Sequence, residues 1–397
     1  MTQMRLKAAT AAARTAAAGV AAVLCLGGAQ TALAAPRPGA SDVPCNPTAL
    51  PTAVLDAASG ATLYLTPGCT YVLTAGLPPI TDTLTIDGRG ATVERSYASG
   101  TTDFSIFTVD AMGGDLNLNN VNVRHGGGDT DTYGGAINSG GTVAIDGGTF
   151  RNSDGDKYGG AIYNDGSLTV RNAAFLDNAG TYAGAIYSYG HLAVTGTSFT
   201  GNTGSDGYGG AIYTEAVSAQ IADSKFTDNS TDYEGGAIGN DYNMTLTGST
   251  FTGNEAEYGG GVYTGGITTM SGDTFTSNDA AFGGGLYNGS DTTVDNSTFT
   301  HNASYYGGGI QNAMGRLEIQ HDLISLNTAT DEGGGIFNGA ALTTDSTFTV
   351  KDNSAGIGGG GIFNNSAGSV NLFYAQVSGN SPDNCEPVNT IGGCDSY

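Results

Sequence analysis

Apolar and glycine positions recur along most of this chain with a period of 24 to 26 residues. The motif Gly-Gly-(Ala/Gly)-aliphatic recurs, and its last residue falls at Ile137, Ile162, Ile186, Ile212, Ile238, Val262, Leu286, Ile310, Ile336 and Ile362. A second motif, Phe-x-x-Asn, keeps the same interval and begins at Phe175, Phe199, Phe226, Phe251, Phe275 and Phe299. A fixed period of this length predicts a solenoid, in which each repeat packs on its neighbours.

Three short runs inside each repeat alternate apolar with polar or small residues, as half-buried strands do. In one repeat they are residues 161–163, 167–170 and 174–176, and clusters of Gly, Asn and Asp separate them. No stretch of the repeats carries a 3.6-residue apolar pattern long enough for a helix. The sequence therefore predicts an all-β fold, a right-handed single-stranded parallel β-helix of about ten regular coils with less regular coils before them.

Each position of the repeat has a predicted role in this fold. Ile162, Leu168, Val170 and Phe175 are expected to point inward and to stack on equivalent residues one coil away. Asn178 and its equivalents are expected to form an inward amide ladder, which satisfies backbone groups that would otherwise be buried without partners.

The N-terminal segment, residues 1–34, has the pattern of a secretory signal peptide. Arg5, Lys7 and Arg14 form a basic region, an Ala-rich apolar run follows, and Ala32-Leu33-Ala34 offers a cleavage site. We expect a secreted, extracellular protein in which 35–82 form an N-terminal cap and the first irregular coils. Residues 83–380 then form the β-helix, and 381–397 form a C-terminal cap.

Four cysteines remain beyond the predicted signal peptide, two before the repeats and two after them. Disulfides are expected in an oxidising compartment, and their Cα atoms must lie within about 7 Å. Because a solenoid of this length keeps its ends several tens of ångströms apart, the sequence predicts the pairs Cys45–Cys69 and Cys385–Cys394.

Charge narrows the range of partners. Beyond residue 34, ten Lys and Arg face 37 Asp and Glu, a formal charge of −27. Nucleic-acid binding depends on neutralising phosphates with basic side chains, so we expect no nucleic-acid partner. No apolar run beyond the signal peptide is long enough to span a membrane. We expect a monomer whose partner is an extracellular polysaccharide or another cell-surface polymer.

The paired motifs also carry a family resemblance. Gly-Gly-Ala-Ile followed about 13 to 16 residues later by Phe-x-x-Asn resembles the repeats of the polymorphic outer membrane proteins. The stretch from Leu77-Pro78-Pro79 to Ile86-Asp87-Gly88 is similar to the first coils of large secreted bacterial proteins of the pectate-lyase-like superfamily. The resemblance implies a β-helix fold and an adhesin-like role at a surface.

Acidic residues precede the paired glycines in several repeats and are the candidate metal ligands: Asp129, Asp131, Asp154, Asp156 and Asp206. One coil apart, such carboxylates either bind Ca²⁺ through oxygen ligands, supply the acid of a glycosidase pair, or extend into water. We expect no cofactor, with Ca²⁺ as the alternative. If the protein is an enzyme, the candidate catalytic residues are Arg124, His125, Asp131, Asp154, Asp156 and Lys157, where bases and acids gather.

Aromatic residues form two ladders along the repeats. One precedes the glycines, from Tyr133 to Tyr306. The other follows the inward aliphatic residue and is expected to face outward as a ligand-binding stripe: Tyr163, Tyr187, Tyr213, Tyr263 and Tyr287. Rings one coil apart suit stacking on sugars, and they equally suit stacking on one another.

The sequence therefore favours a non-catalytic binding or adhesion module that contacts an extracellular glycan or cell-surface polymer. One alternative is a polysaccharide lyase or glycoside hydrolase with its site in the early coils. Another is a purely structural spacer. All three hypotheses assume the same solenoid and differ only in the chemistry expected of its outward faces.

Overall fold

The structure is a computed structural model that describes residues 39–127, 133–387, 391, 392 and 394. The predicted signal peptide lies outside the described residues, as do Asp129 and Asp131. The described chain is a parallel β-solenoid whose longest sheet has 14 strands, which confirms the predicted fold class with more turns than the ten regular coils. No helix in this part of the chain has the length and apolar character needed to cross a membrane.

Two sheets follow each other along every regular coil, and all their strands pair in parallel. Sheet A consists of Ala40–Val43, Ala61–Leu65, Thr83–Asp87, Asp115–Asn119, Thr142–Asp146, Ser167–Arg171, His191–Thr195, Ala219–Ala222, Met244–Thr247, Thr268–Ser271, Thr292–Asp295, Arg316–Gln320, Ala341–Thr344 and Ser369–Leu372. Sheet B consists of Thr70–Leu73, Thr92–Arg95, Asn122–Arg124, Thr149–Arg151, Ala174–Leu176, Ser198–Thr200, Lys225–Thr227, Thr250–Thr252, Thr274–Thr276, Thr298–Thr300, Leu323–Ser325, Thr349–Lys351 and Gln376–Ser378.

Two further sheets complete the coil on either side of the paired glycines. Sheet C, after the glycines, consists of Phe107–Val109, Ile137–Ser139, Ile162–Asn164, Ile186–Ser188, Ile212–Thr214, Ile238–Asn240, Val262–Thr264, Leu286–Asn288, Ile310–Asn312, Ile336–Asn338, Ile362–Asn364 and Cys385–Glu386. Sheet D, before them, consists of Asp154–Gly155, Ala179–Gly180, Thr203–Gly204, Ser230–Thr231, Glu255–Tyr258, Asp279–Phe282, Ala303–Tyr306, Thr328–Glu332 and Ser354–Ala355.

Sheet D corrects the sequence prediction of three strands per repeat. The segment interpreted as an acidic loop begins, in nine coils, with a strand of two to five residues. Its inward positions hold small residues instead of large apolar ones: Gly or Ala in most coils, as in Gly180 and Ala280, and Thr231 or Ser304 in two. A strand this short with so small an inward residue shows no apolar alternation, so the pattern could not reveal it.

The core depends on stacking of identical residues between coils. Seven phenylalanines, one per coil from Phe150 to Phe299, form a column with ring centroids 4.5 to 5.0 Å apart. In-register parallel strands place equivalent side chains at that spacing, which suits stacked rings. Ile324 and Val350 continue the column beyond the last Phe. These residues are fully buried, as predicted.

The predicted asparagine ladder runs beside the Phe column. In Asn254, Nδ2 donates to Asn278 Oδ1 of the next coil at 2.9 Å and to the Phe226 carbonyl of the preceding coil at 3.1 Å. Asn254 Oδ1 accepts from both the backbone N–H and Nδ2 of Asn229, each at 3.0 Å. The pattern repeats from Asn178 to Asn353. Each amide thus satisfies backbone groups at a buried turn.

Both predicted disulfides are formed at the ends of the solenoid. Cys45 pairs with Cys69, with Cα atoms 5.7 Å apart, and Cys385 pairs with Cys394, with Cα atoms 6.2 Å apart. The first bridge encloses a helix, Ala49–Leu55, whose Leu50 and Val54 pack into the core. The sequence pattern did not predict this helix, because its seven residues are too few for a clear period.

Replacing Asn254 by Ala is expected to lower the free energy of unfolding by about 2–4 kcal/mol, since four hydrogen bonds are lost and buried backbone groups are left without partners. A denaturant titration of the variant and the wild type measures this. The matched control is Thr252→Ala, an outward residue of the same coil, for which a change within about 0.5 kcal/mol is expected. Equal losses in the two variants would contradict a special role for the amide ladder.

Candidate functional site

Arg124 and His125 of the predicted catalytic patch lie beside Glu94, an acid of the preceding coil. Arg124 Nε donates to Glu94 Oε2, and His125 Nδ1 lies 3.9 Å from the same carboxylate. Burial and the neighbouring Arg124 lower the pKa of His125, which favours its neutral form. Arg124 therefore has an internal counter-charge in place of a free guanidinium facing a substrate.

The acidic residues of that patch belong to a different surface. Asp154 and Asp156 line a cavity of about 590 Å³ together with Asp103, whereas Arg124 lines a separate cavity of about 210 Å³. Lys157 is exposed and lines neither cavity. The structure thus brings Asp154 and Asp156 together at one cavity and places Arg124 at another, because Asp154 lies on a sheet D strand and Arg124 ends a sheet B strand.

The predicted calcium ligands show no metal-binding arrangement in the part of the chain that the structure describes. Asp154 and Asp156 share a cavity, but Asp206 is exposed and does not line it. Among the described residues, no group of three or more Asp, Glu, His or Cys side chains is arranged to hold a metal ion.

The cavity at Asp154 is one end of a continuous groove over the outward face of sheet D. It shares Thr203 with a second cavity of about 520 Å³, which shares Glu255 and Ala256 with a third of about 430 Å³. We call these three cavities the sheet D groove. It runs from Asp154 to Thr330 and crosses eight of the nine strands of sheet D.

Carboxylates and hydroxyls dominate the lining of the sheet D groove. Its seven acidic residues are Asp103, Asp154, Asp156, Asp232, Glu255, Glu257 and Asp279, and no described lining residue is basic. Its hydroxyl-bearing residues are Thr181, Thr203, Ser205, Ser230, Thr231, Ser304, Tyr305, Thr328 and Thr330. Asp154 and Asp156 were predicted from the sequence as candidate site residues, whereas the concave surface that the seven acids share was not.

The outward tyrosine stripe is largely covered by the aromatic ladder that precedes the glycines. Tyr187 is 2% exposed and Tyr213 is 4% exposed, while Tyr163, Tyr263 and Tyr287 are partly exposed. The two ladders contact each other, with ring centroids 4.9 Å apart for Tyr158 and Tyr187 and 5.2 Å apart for Tyr258 and Tyr287. The rings thus pack against one another. This is the second of the two arrangements that the sequence allowed, the first being stacking on sugars.

Hydrogen bonds further fix this aromatic layer. The Tyr187 hydroxyl donates to Glu215 Oε1 at 3.0 Å, and the Tyr213 hydroxyl donates to Asp241 Oδ2 at 2.6 Å. Burial raises the pKa of Tyr187 and Tyr213, so both hydroxyls stay protonated donors. The covered tyrosines offer no free face to a ligand.

The outward tyrosine stripe is interrupted at one coil, whereas Tyr233 continues the ladder that precedes the glycines, with its ring centroid 5.8 Å from that of Tyr208 and 5.3 Å from that of Tyr258. Gly239 takes the place of the outward tyrosine between Tyr213 and Tyr263, and Glu234 holds the position directly before the glycines. Burial and the Asp241 carboxylate raise the pKa of Glu234 to about 7. A carboxyl that is protonated near neutrality therefore occupies the aromatic layer at this coil.

Two more acidic side chains titrate near neutrality inside the solenoid. Asp273 and Asp322 are both 1% exposed at turns between sheets A and B. Asp273 Oδ1 accepts the Ser249 backbone N–H at 2.8 Å, and Asp322 Oδ2 accepts that of Gln320 at 2.9 Å. Burial nevertheless raises the pKa of each to about 7.

Comparison with known proteins supports the repeat assignment. The family model of the chlamydial polymorphic membrane protein repeat matches residues 196–215, which contain both motifs of one coil. That match and the parallel solenoid fit a β-helix of the polymorphic membrane protein type, and they suggest an outer-membrane-associated or surface-exposed protein. No curated protein and no solved structure matches the chain. A wider relationship to the pectate-lyase-like proteins stays a prediction.

The protein is expected to lose stability as the pH rises from about 4 to 7. The pKa of Glu234, Asp273 and Asp322 is higher in the folded chain than in the unfolded one. The folded state therefore binds more protons in that window, and its stability is greatest below it.

Glu234→Gln is expected to flatten this dependence, because the amide stays uncharged at every pH. Its thermal midpoint should match that of the wild type near pH 4 and exceed it at pH 8 by about 2 °C, the shift that roughly 1 kcal/mol produces in a large chain. Calorimetry at both pH values measures this, with Glu257→Gln as the control. Parallel profiles for the Glu234 variant and the wild type would contradict the assignment.

Proposed function

We propose that this protein is a surface-exposed or secreted β-helix that binds an extended glycan along the sheet D groove without altering it. The observation that carries the proposal is the continuity of the groove: three cavities that share Thr203, Glu255 and Ala256 form one surface. A purely structural spacer has no need of such a surface.

The dimensions of the groove suit a polymer better than a small molecule. Eight parallel strands at about 4.8 Å give a length of about 34 Å. Pockets for small ligands are lined mainly by apolar side chains that bury most of the ligand, whereas this lining is polar and open along its length. A long ligand gains affinity from many weak contacts made together.

The chemistry of the lining supports a hydroxyl-rich ligand. Threonine and serine hydroxyls recur along the groove, as in Thr181, Ser230 and Thr328, and each can both donate and accept a hydrogen bond. Sugars present the same groups at regular intervals. The self-packed tyrosines make an aromatic sugar platform on sheet C the less favoured alternative.

A location at or beyond the cell surface would bring the protein to such a ligand. The two disulfides are compatible with an oxidising compartment outside the cytosol. The repeat match suggests surface exposure. A protein at or beyond the cell surface meets extracellular glycans directly.

A glycoside hydrolase is the second candidate, because Asp103, Asp154 and Asp156 line one cavity. Hydrolysis needs two carboxyls on either side of a glycosidic bond. The lyase form is less favoured, since it calls for a basic residue or cation near the substrate carboxylate. Arg124 pairs with Glu94 and lines another cavity.

Thr203→Trp is expected to abolish retention on immobilised polysaccharide, because a large side chain at the junction of two cavities blocks the groove. Affinity chromatography on a panel of neutral, acidic and amine-bearing polysaccharides measures this. The matched control is Thr200→Trp, an outward position of sheet B in the same coil, which should bind as the wild type does. Equal binding by the two variants would show that the groove is not the binding surface.

The purified chain is expected to leave every polysaccharide of that panel intact, with or without millimolar Ca²⁺. Assays of reducing ends and of unsaturated products by absorbance measure this. Product formation that Asp156→Asn abolishes would replace the binding proposal by the hydrolase, provided that the variant keeps its melting temperature.

A further inference from the structure

The last strands of sheets A and B each have a free edge. Ser369–Leu372 ends sheet A and Gln376–Ser378 ends sheet B, and no strand among the described residues pairs with their outer side. The chain then continues along sheets D and C, where Ser381 and Cys385–Glu386 pair with the preceding coil. A free edge presents a row of unpaired backbone N–H and C=O groups, to which a further strand can pair.

The two free edges lie in an uncharged part of the chain. Residues 353–382, which include both edge strands, contain no Asp, Glu, Lys or Arg. Charged side chains and proline commonly protect an edge strand from pairing, and residues 369–378 contain neither. In so acidic a chain, this part of the surface is where two copies can approach each other with little electrostatic repulsion.

The opposite end of the solenoid is closed in a different way. The helix Ala49–Leu55 packs Leu50 and Val54 into the core, and Asp42 places an exposed charge in the edge strand of sheet A. The two ends therefore do not match as partners in a head-to-tail contact, which would produce open fibres. A contact between the same end of two copies closes as a dimer.

The free-edge segment is chemically symmetrical about its centre. In order, its residues are Ser369, Val370, Asn371, Leu372, Phe373, Tyr374, Ala375, Gln376, Val377 and Ser378. From the two ends inward they form a pair of serines, of valines, of amides, of aliphatic residues and of aromatic rings. In a two-fold contact each residue meets its counterpart in the other copy. The segment is therefore complementary to a second copy of itself.

The faces of these residues agree with such a pairing. Val370 and Val377 take inward positions, whereas Asn371 and Gln376 are exposed. The equivalent inward positions of interior coils are buried, but Val370 and Val377 are only partly buried. An antiparallel strand from a second copy would place valine opposite valine on the inward face and amide opposite amide on the outward face.

The turn between the two edge strands exposes both aromatic rings. Phe373 is 52% exposed and Tyr374 is 88% exposed. Tyr374 has a φ of +55°, in the left-handed region, where the same turn of other coils holds residues such as Asn172 and Asn296. A bulky side chain is rare in that conformation. The terminal coil thus exposes large rings where other coils have small polar residues, as a contact surface does.

We propose that two copies of this protein form a two-fold dimer through the free edges of sheets A and B. The strand Ser369–Leu372 of each copy pairs antiparallel with Gln376–Ser378 of the other, and the axis passes between Phe373 and Tyr374. One strand runs toward the turn and the other runs away from it, so a two-fold rotation about the turn superimposes them in antiparallel direction. This dimer would replace the monomer expected from the sequence.

The dimer contact is independent of the proposed function, because residues 369–378 do not line the sheet D groove. A strand of a different protein is the less favoured occupant of the free edges. Such a strand would require no symmetry within residues 369–378.

Sedimentation velocity of the full chain over a range of micromolar concentrations tests the inference. The wild type should be a dimer in reversible equilibrium with its monomer. Asn371→Lys with Gln376→Lys should weaken dimerisation by about tenfold, because two pairs of like charges then face each other. Asn371→Lys with Gln376→Glu should restore it, since each lysine then faces a glutamate of the other copy.

The matched control is Thr293→Lys with Thr298→Lys, at the equivalent outward positions three coils earlier. Both of its strands are already paired on either side, so this variant should dimerise as the wild type does. Thermal midpoints within about 2 °C of the wild type would show that the variants are folded.

The other outcomes would each overturn the inference. These are a wild type that stays monomeric, or assemblies that grow beyond a dimer as the concentration rises. A dimer that the double-lysine variant does not weaken would have its contact elsewhere. Equal weakening by the double-lysine and the lysine–glutamate variants would contradict the antiparallel pairing of the two edges.

Discussion

In the interior coils of this solenoid, an inward side chain lies on the equivalent residue of the coil above and of the coil below, and this constraint governs the rest of the structure. Only residues that are satisfied by copies of themselves can form such a column. Phenylalanine meets the condition by stacking, as from Phe150 to Phe299. Asparagine meets it because its amide is at once donor and acceptor, as Asn254 shows between Asn229 and Asn278. Charged residues fail the condition, because like charges would be buried in contact.

The column at the turn between sheets A and B shows how the chain admits buried acids within this constraint. Asp273 lies between Ser249 and Ser297, and Asp322 follows Ser297 in the next coil. Ser297 lies between the two acids, so one buried carboxyl does not contact the other. Their raised pKa values further allow them to be neutral in acidic surroundings. On the outward face of sheet D, by contrast, two acids, Glu255 and Asp279, take directly paired positions.

Sequence could predict the features that this stacking repeats in every coil, and it could not predict those that depend on contacts between sheets. The period, the Phe column, the asparagine ladder and both disulfide pairs follow from spacing and residue type. Sheet D was missed because residues such as Gly180 and Ala280 carry no apolar signal. The groove was missed for the same reason, since its continuity depends on those strands. The pairing of Arg124 with Glu94 depends on the register between coils, which composition does not contain.

The outward faces of sheets C and D differ in whether their polar groups are satisfied within the chain. On sheet C, the Tyr187 and Tyr213 hydroxyls donate to Glu215 and Asp241, and the rings pack on a second ladder. The rings and hydroxyls of that face have their partners within the chain, so they stabilise the fold. On sheet D, Glu255 and Asp279 take directly paired positions, and no ion pair among the described residues includes either of them. A solenoid repeats its interior to remain folded, so its outward faces are where residues can differ from coil to coil, and this is why we place the proposed binding surface on sheet D and not on sheet C.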